Sequence, residues 1–373
     1  MGKRELLLIC GFVVVGALVY HSTAPAAAPG QQGFSVSRIL DHVRREVRGN
    51  RASAEFTTAR KVPIRPGTTE IRFETGNAPL TITGEDREDV DCELQVWSSG
   101  YDETEAKRYA GETAIKSTDA GVSMVLSITY PEPATQRATL IVRMPKALAV
   151  RVQPSRGKVE ISNVSSVELV EARGQATVRK IDGRLTATHR GGNLTIESVD
   201  ELKLNTRGST INLKDIAGEA IMTLQAGELR GESLAGPIEI ESNGTRIELE
   251  NLTTTRKPLR INAVGGSVKL AGIKSDTRID GRDTRIAVTV EKPATLTIYN
   301  EAEELTEVTL PPGGYQLDAL TTDGHLTVPE GMLDVKSTDN EQRATGTVGA
   351  GGPTITLRTK RGDIKVSVKK SEV

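Results

Sequence analysis

The sequence predicts an all-β chain wound as a single-chain β-solenoid, or β-helix, with coils of roughly 17–18 residues, and three observations carry that prediction. Apolar residues recur at fixed offsets from spaced glycines: Val159, Ile161 and Val164 follow Gly157, Ala176, Val178 and Ile181 follow Gly174, and Leu194, Ile196 and Val199 follow Gly192, at two, four and seven each time. A second alternating strand keeps step with the first, as Val167/Leu169, Leu185/Ala187, Leu202/Leu204, Ala220/Met222, Ile238/Ile240 and Leu259/Ile261. Aromatics make up only 3% of the 373 residues while glycine reaches 36, which suits a narrow aliphatic interior rather than a core built on large rings.

Alternation at period two gives each segment the pattern of a strand with one buried face. Strands of about five residues bury too little to stand alone. A fixed period lets equivalent strands stack, each coil pairing with the next, so that apolar residues form ladders inside. Glycine serves the corner, where the chain needs a positive φ or a close backbone approach. The corner glycines are Gly157, Gly174, Gly192, Gly208, Gly227, Gly244 and Gly266, with Gly362 near the end of the chain; the first seven lie 17, 18, 16, 19, 17 and 22 residues apart. Gly208 and Gly244 carry their strands one residue later than the others. The cross-section, flattened or triangular, stays open. A β-sandwich of hairpins also uses short strands and turns, but nothing in a hairpin requires the same offsets to return coil after coil.

In chain order, residues 1–28 read as a signal peptide or signal anchor. Lys3 and Arg4 precede the apolar run Leu6 to Tyr20, about 22 Å as a helix and short of a bilayer core of roughly 30 Å. Ala24-x-Ala26 offers a cleavage site; uncut, the segment would serve as an anchor, and both outcomes stay open. Export is expected either way, to the periplasm or to the inner membrane facing it, with the cell surface as a further destination. Residues 29–58 read as a linker with a short amphipathic basic helix, Val36, Ile39, Leu40, Val43 and Val47 on one face and five arginines around the rest. That helix would lie on a membrane surface or partner, or cap the first strands. Residues 59–152 form an N-terminal β-rich capping region, with a helical insertion between Asp102 and Ala114. Residues 153–290 carry the regular repeats, and 291–373 hold irregular coils and a closing repeat, with a tight turn at Pro311-Pro312-Gly313-Gly314.

The chemistry-bearing residues are sparse. With 48 basic and 49 acidic residues the net charge is −1, so no global field invites nucleic acid. Two cysteines, Cys10 and Cys92, cannot build a disulfide framework; Cys92 alternates with the apolar set and reads as a buried hydrophobe. The four histidines show no ligand spacing. No catalytic, cofactor-binding or metal-binding residue, and no cofactor, is expected. Arg361-Gly362-Asp363 spells a cell-binding tripeptide, yet it falls on a repeat corner. Gly346 to Gly352 lacks the lysine and helix of a phosphate loop. The Asn-x-Ser/Thr triplets at Asn163, Asn193, Asn243 and Asn251 follow from turn composition. Glu85, Asp86, Glu88, Asp89 and Asp91 read as a solvated turn, and Asp276, Asp280 and Asp283 are interleaved with arginines. Glu160, Glu197 and Glu239, with Lys203 and Lys214, are the ladder residues that an enzyme on this scaffold would recruit.

The units "GKVEISNV", "GNLTIESV" and "GSTINLKDI", the lead-in "VRMPKALAVRV" and the closing "GAGGPTITLRTKRGDIKV" resemble the bacterial putative-adhesin β-strand-repeat family of envelope proteins, over roughly residues 60–369. The resemblance implies a right-handed β-solenoid-like fold on an exported or membrane-tethered protein, and it brings no catalytic motif. The expected function is a non-catalytic envelope scaffold or adhesive surface. Its expected partners are an envelope protein or polysaccharide, with the membrane met through the N-terminal segment. The alternatives are a polysaccharide-processing enzyme and a protein that polymerises end to end.

Overall fold

The structure is a computed structural model that describes residues 15–16, 52–132, 135–252 and 258–369. The basic helix expected over 34–51, and all of the N-terminal apolar run but Val15 and Gly16, lie outside the described residues. Among the described residues no helix is long and apolar enough to cross a membrane.

The repeat folds as read. Each coil gives one strand to a front sheet and one to a back sheet, and both strands send alternate residues into one shared core, so the section is flattened. The first coils are β2 (Glu70–Glu74) with β3 (Leu80–Glu85), and β8 (Ala149–Val152) with β9 (Val159–Val164). Strand β10 (Ser166–Ile216) then runs for 51 residues through successive coils. Its beginning pairs in parallel with β8 and β9, and its end with β11 (Ala220–Leu234). Strand β12 (Ile238–Glu250) follows, and then the pairs β13 (Leu259–Val264) with β14 (Ser267–Ile273), β15 (Thr277–Arg282) with β16 (Arg285–Val290), and β17 (Leu296–Glu301) with β18 (Thr306–Leu310). Equivalent residues face one another in parallel register, Ile211 with Leu229, Leu229 with Ile247, Ile247 with Val268 and Val268 with Ile286 on the back sheet, all of them buried. Each such side chain contributes about 1.5–3 kcal/mol of hydrophobic stabilisation.

The offset pattern has a structural cause. The step from four to seven spans three residues where a strand would use two, and the extra residue turns the corner in the left-handed region. Asn163, Lys180, Ser198, Asp215, Ser233 and Asn251 stack there with φ of 54–60°. The parallel register skips that level, passing from Arg179/Ser162 to Ile181/Val164. Asn, Asp and Ser dominate the column because short polar side chains tolerate the left-handed region best, which accounts for two of the Asn-x-Ser/Thr triplets.

The ends depart from the repeat. At the N-terminal end β1 (Ala52–Pro63) begins within the stretch read as linker. Its core-facing residues include Ala52, Ala54, Thr58 and Arg60, so no apolar alternation announced it. It pairs antiparallel with β4 (Asp89–Gly100), which pairs antiparallel with β7 (Gln136–Pro145). Helix α1 (Glu103–Glu112), the expected insertion, is N-capped by Asp102, whose side chain accepts from the Glu105 amide, and it packs on β1 and β4. β5 (Ala114–Ala120) and β6 (Ser123–Thr129) form a hairpin. The region read as a cap therefore also contributes coils: β2 lies between β6 and β8, and β3 between β7 and β9, so the first coil is enclosed between the second and third.

The C-terminal end repeats this device in reverse. β19 (Tyr315–Thr322) and β20 (Leu326–Thr327) form the outermost coil. The final pair, β23 (Thr354–Lys360) and β24 (Ile364–Val368), slots between it and the coil of β17 and β18. β22 (Glu341–Val348), reached through the two-residue β21 (Lys336–Ser337), closes the front sheet antiparallel to β19. The fully buried rings of Phe73 and Tyr315 sit in these end coils, and the Tyr315 hydroxyl donates to the Pro311 carbonyl at 2.6 Å.

Candidate functional site

Outward residues of successive strands lie about 4.8 Å apart, so side chains one coil apart in sequence become direct neighbours. On the back sheet this brings opposite charges together. Arg230 donates to Glu228 at 2.9 Å and Arg246 to Glu248 at 2.8 Å. The cross pairs Arg230–Glu248 and Arg246–Glu228 close a four-membered ring, each at 3.9 Å. The Arg246 hydrogen bond holds the Glu248 carboxyl below its ordinary value, and the same bond raises the Arg246 guanidinium. Lys269 is the next residue in the row after Glu248.

Beside this ring the back face dips into a depression of about 480 Å³, whose polar lining includes Glu197, Asn212, Lys214, Arg230, Glu232, Glu248 and Glu250. Gly231, inward at a level where its neighbours in the ladder are Leu213 and Leu249, lies beneath it. Glu232 and Glu250 face each other in register, like charges directly opposed. The front face carries a similar lattice, including Arg278–Asp280 at 2.7 Å with the Arg278 guanidinium over the Tyr299 ring, but interrupts it with exposed Ile221, Val264 and Tyr299.

Of the residues singled out for enzyme chemistry, Glu197 and Lys214 line this one back-face depression, while Glu160, Glu239 and Lys203 lie outside it. Glu160 is held by Lys158 at 2.6 Å and Glu197 by Arg179 at 2.7 Å on the back sheet. Glu239 lies on the front sheet between Ile221 and Arg260, where Lys203 also points outward. The acidic turn is compensated from within: Arg87 reaches Asp89 at 2.7 Å and Glu85 at 3.3 Å, Arg143 reaches Asp91 at 3.5 Å, and Lys146 reaches Asp86 at 2.8 Å. Among the described residues no group of three potential metal ligands converges. Arg361-Gly362-Asp363 is absorbed by its corner, with the Arg361 amide donating to the Thr322 carbonyl at 2.7 Å and the Asp363 carboxylate accepting from the His325 amide at 2.8 Å. Cys92 is fully buried, and burial pushes its thiol up to about 12, as suits a packing residue.

The corner glycines serve two needs. Gly192, Gly227 and Gly266 combine positive φ with a backbone so close that a Cβ would strike the coil below, whereas Gly208 and Gly244 have positive φ and open space. Gly174 has positive φ with its nearest neighbour at 3.6 Å, while Gly157 and Gly362 are needed for close approach alone. What sequence reasoning missed is the charge ring. Its signal was present, since Glu228/Arg246 and Arg230/Glu248 are oppositely charged pairs spaced by one coil.

No curated protein matches the chain. Among solved structures it is similar to a putative cell adhesion protein from Clostridium sporogenes ATCC 15579, at 10% identity and a TM-score of 0.20, covering 84% of this chain and 100% of that one. It is also similar to a putative adhesin from Parabacteroides distasonis ATCC 8503, at 15% identity and a TM-score of 0.36, covering 66% of this chain and 95% of that one. A putative lipid binding protein from the same species aligns at 10% identity and a TM-score of 0.30, covering 84% and 97%. Residues 68–367, from just before β2 to the last coil, match the model of the Toastrack DUF4097 family, and the chain belongs to that family.

Proposed function

We propose that the protein is an exported or membrane-tethered, non-catalytic scaffold that presents the back face of its solenoid to a charged polymer or partner protein of the bacterial envelope. The observation that carries this reading is the ring of Arg230, Glu228, Arg246 and Glu248 beside an open depression. Charges set on a strand-spaced lattice engage a repeating ligand through many weak contacts whose strengths combine. Surface ion pairs contribute little to stability, typically under about 1 kcal/mol, so such a ring exchanges its partners for a ligand's charges at small cost. Tethering is supported by the basic, apolar and small-residue sequence of residues 1–28.

Fractionation of cells expressing the full-length chain tests the proposal, with the cell-wall and membrane fractions washed at rising salt. The protein is expected in the envelope and to leave the wall only at high salt, because exposed charge contacts are screened. The Arg230→Glu/Arg246→Glu variant is expected to leave at low salt. Recovery of both proteins in the cytosol would remove export, and identical release of both would remove the back face as the binding surface.

A further inference from the structure

We infer that the free edge of β1 is a self-association surface, which joins two copies of this chain through an antiparallel β1–β1 pair. β1 bonds to β4 along all twelve residues on one side, and no described strand pairs with its other side. An edge of that length is exceptional in this molecule. The other open edges among the described strands are shorter: β5 pairs only with β6 over seven residues, and β22, of eight residues, meets beyond β19 only the two residues of β21. Long open edges recruit further strands unless something covers them.

The residues along β1 say which strand fits. A two-fold axis perpendicular to the sheet keeps inward residues opposite inward ones, so self-pairing requires an axis through one residue. With the axis at Thr58, Glu55 stands opposite Lys61 of the second copy and Phe56 opposite Arg60 of the second copy, each pair occurring twice by symmetry. Moving the axis to Thr57 puts Glu55 opposite Ala59, and moving it to Ala59 puts Glu55 opposite Pro63, so one register alone matches opposite charges. Both groups are available. Among the described residues Glu55 makes no ion pair, and Lys61 is 74% exposed with Asp89 at 3.9 Å.

The inward row gives the second argument. Phe56 lies in register with Val96, and Val96 with Ala138, both buried, yet Phe56 remains 44% exposed because the row ends there. A strand added at Thr58 covers it with the Arg60 stem, and the guanidinium, which donates to the Ile115 carbonyl at 2.7 Å, lies beside the ring. The product is two solenoids joined end to end through one continuous back sheet, with their Ala52 ends about 40 Å apart along the paired strands.

The mass of the full-length chain in detergent, followed by sedimentation across a dilution series, tests this. The wild type is expected to be a dimer. Glu55→Lys is expected to weaken it about tenfold or more, since two attractive cross-strand pairs become repulsive. Glu55→Lys/Lys61→Glu is expected to restore it, with thermal melting unchanged in all three. Thr58→Cys in a Cys10→Ser background is expected to cross-link to itself on oxidation. A wild type that stays monomeric overturns the inference, and if its β1 amides are then protected from exchange, the residues preceding Ala52 cover the edge instead. A double variant no tighter than Glu55→Lys also overturns it.

Discussion

The middle of the solenoid and its two ends are built from the same strand pairs yet obey different rules. Between β10 and β16 each coil pairs with its predecessor and its successor in sequence. At both ends the order is broken: the first coil is enclosed between the second and third, and the last between the two preceding it. The middle coils are interchangeable because every one offers the next the same ladder. A chain end has no next coil, so one of its faces would stay open. Tucking the terminal coil inside and finishing with antiparallel strands removes the loose end from the edge. Repetition supplies length, and permutation supplies closure.

The largest effect that separates the two regions comes from removing a coil of each kind. Excision of residues 220–237 joins Glu219 to Ile238, which occupies the register position of Ala220, so the stack is expected to reseal one coil shorter and keep its cooperative melt. Truncation after Gly352 removes Ile355, Leu357, Ile364 and Val366 from the core. Those four side chains represent about 8 kcal/mol of burial, comparable to the whole stability of many domains. It also strips the partners from both β17 and β19. The truncated protein is expected to lose its C-terminal coils to limited proteolysis, while the excised one resists. Equal protection of the two would mean that permutation does not hold the end together.

A smaller contrast lies within the corners. In Gly192→Ala the new Cβ meets the Gly174 backbone and must also accept φ of 88°, so it is expected to cost about 3 kcal/mol or more. Gly208→Ala meets only the φ of 65°, with nothing within 4 Å, and is expected to cost about 1 kcal/mol. Chemical denaturation of the two variants checks the ranking. Equal losses would show that the corner needs conformation alone and that the close stacking has no energetic weight.

What the sequence disclosed follows the same division. The period, the buried face of each strand and the capped helix were legible because they are local or repeat at a fixed interval. The three-residue step before Val164 and its equivalents even encoded the column of left-handed residues at Asn163, Lys180 and Ser198. The place of β23 and β24 was not legible, because nothing local in "TITLRTK" says which of two edges it will meet first. β1 was missed because its inward face includes Arg60 and Thr58, residues that an end position tolerates and a middle coil would not. The charge ring was overlooked because isolated charged residues carry no meaning until the coil period sets them side by side.

The mildest test concerns the one buried titratable ring in the middle coils. His189 is inward and fully buried, with its Nδ1 and the Ser209 hydroxyl 2.9 Å apart, in a polar strip that continues through Thr206, Ser242 and Thr245 down one edge of the core. Burial holds its pKa below the ordinary histidine value, opposed by a Gly174 backbone group. The folded state therefore favours the neutral ring. The resulting stability is fully present above the unfolded value of about 6.5 and declines as pH falls through it towards the lower folded value. The other described histidine, His325, sits in an exposed turn of the C-terminal end. Melting temperature is expected to fall between pH 7.5 and 5, with the middle coils opening first by hydrogen exchange. His189→Leu, which continues the apolar ladder, is expected to flatten that slope. A variant that keeps the wild-type slope would show that His189 is not its source, and any further loss below about pH 5 would lie in the ends, where carboxylates such as Asp318, held below its ordinary value and bound by Arg358 and Arg343, hold the last coils together. Proton uptake would then loosen the closure and leave the repeat intact.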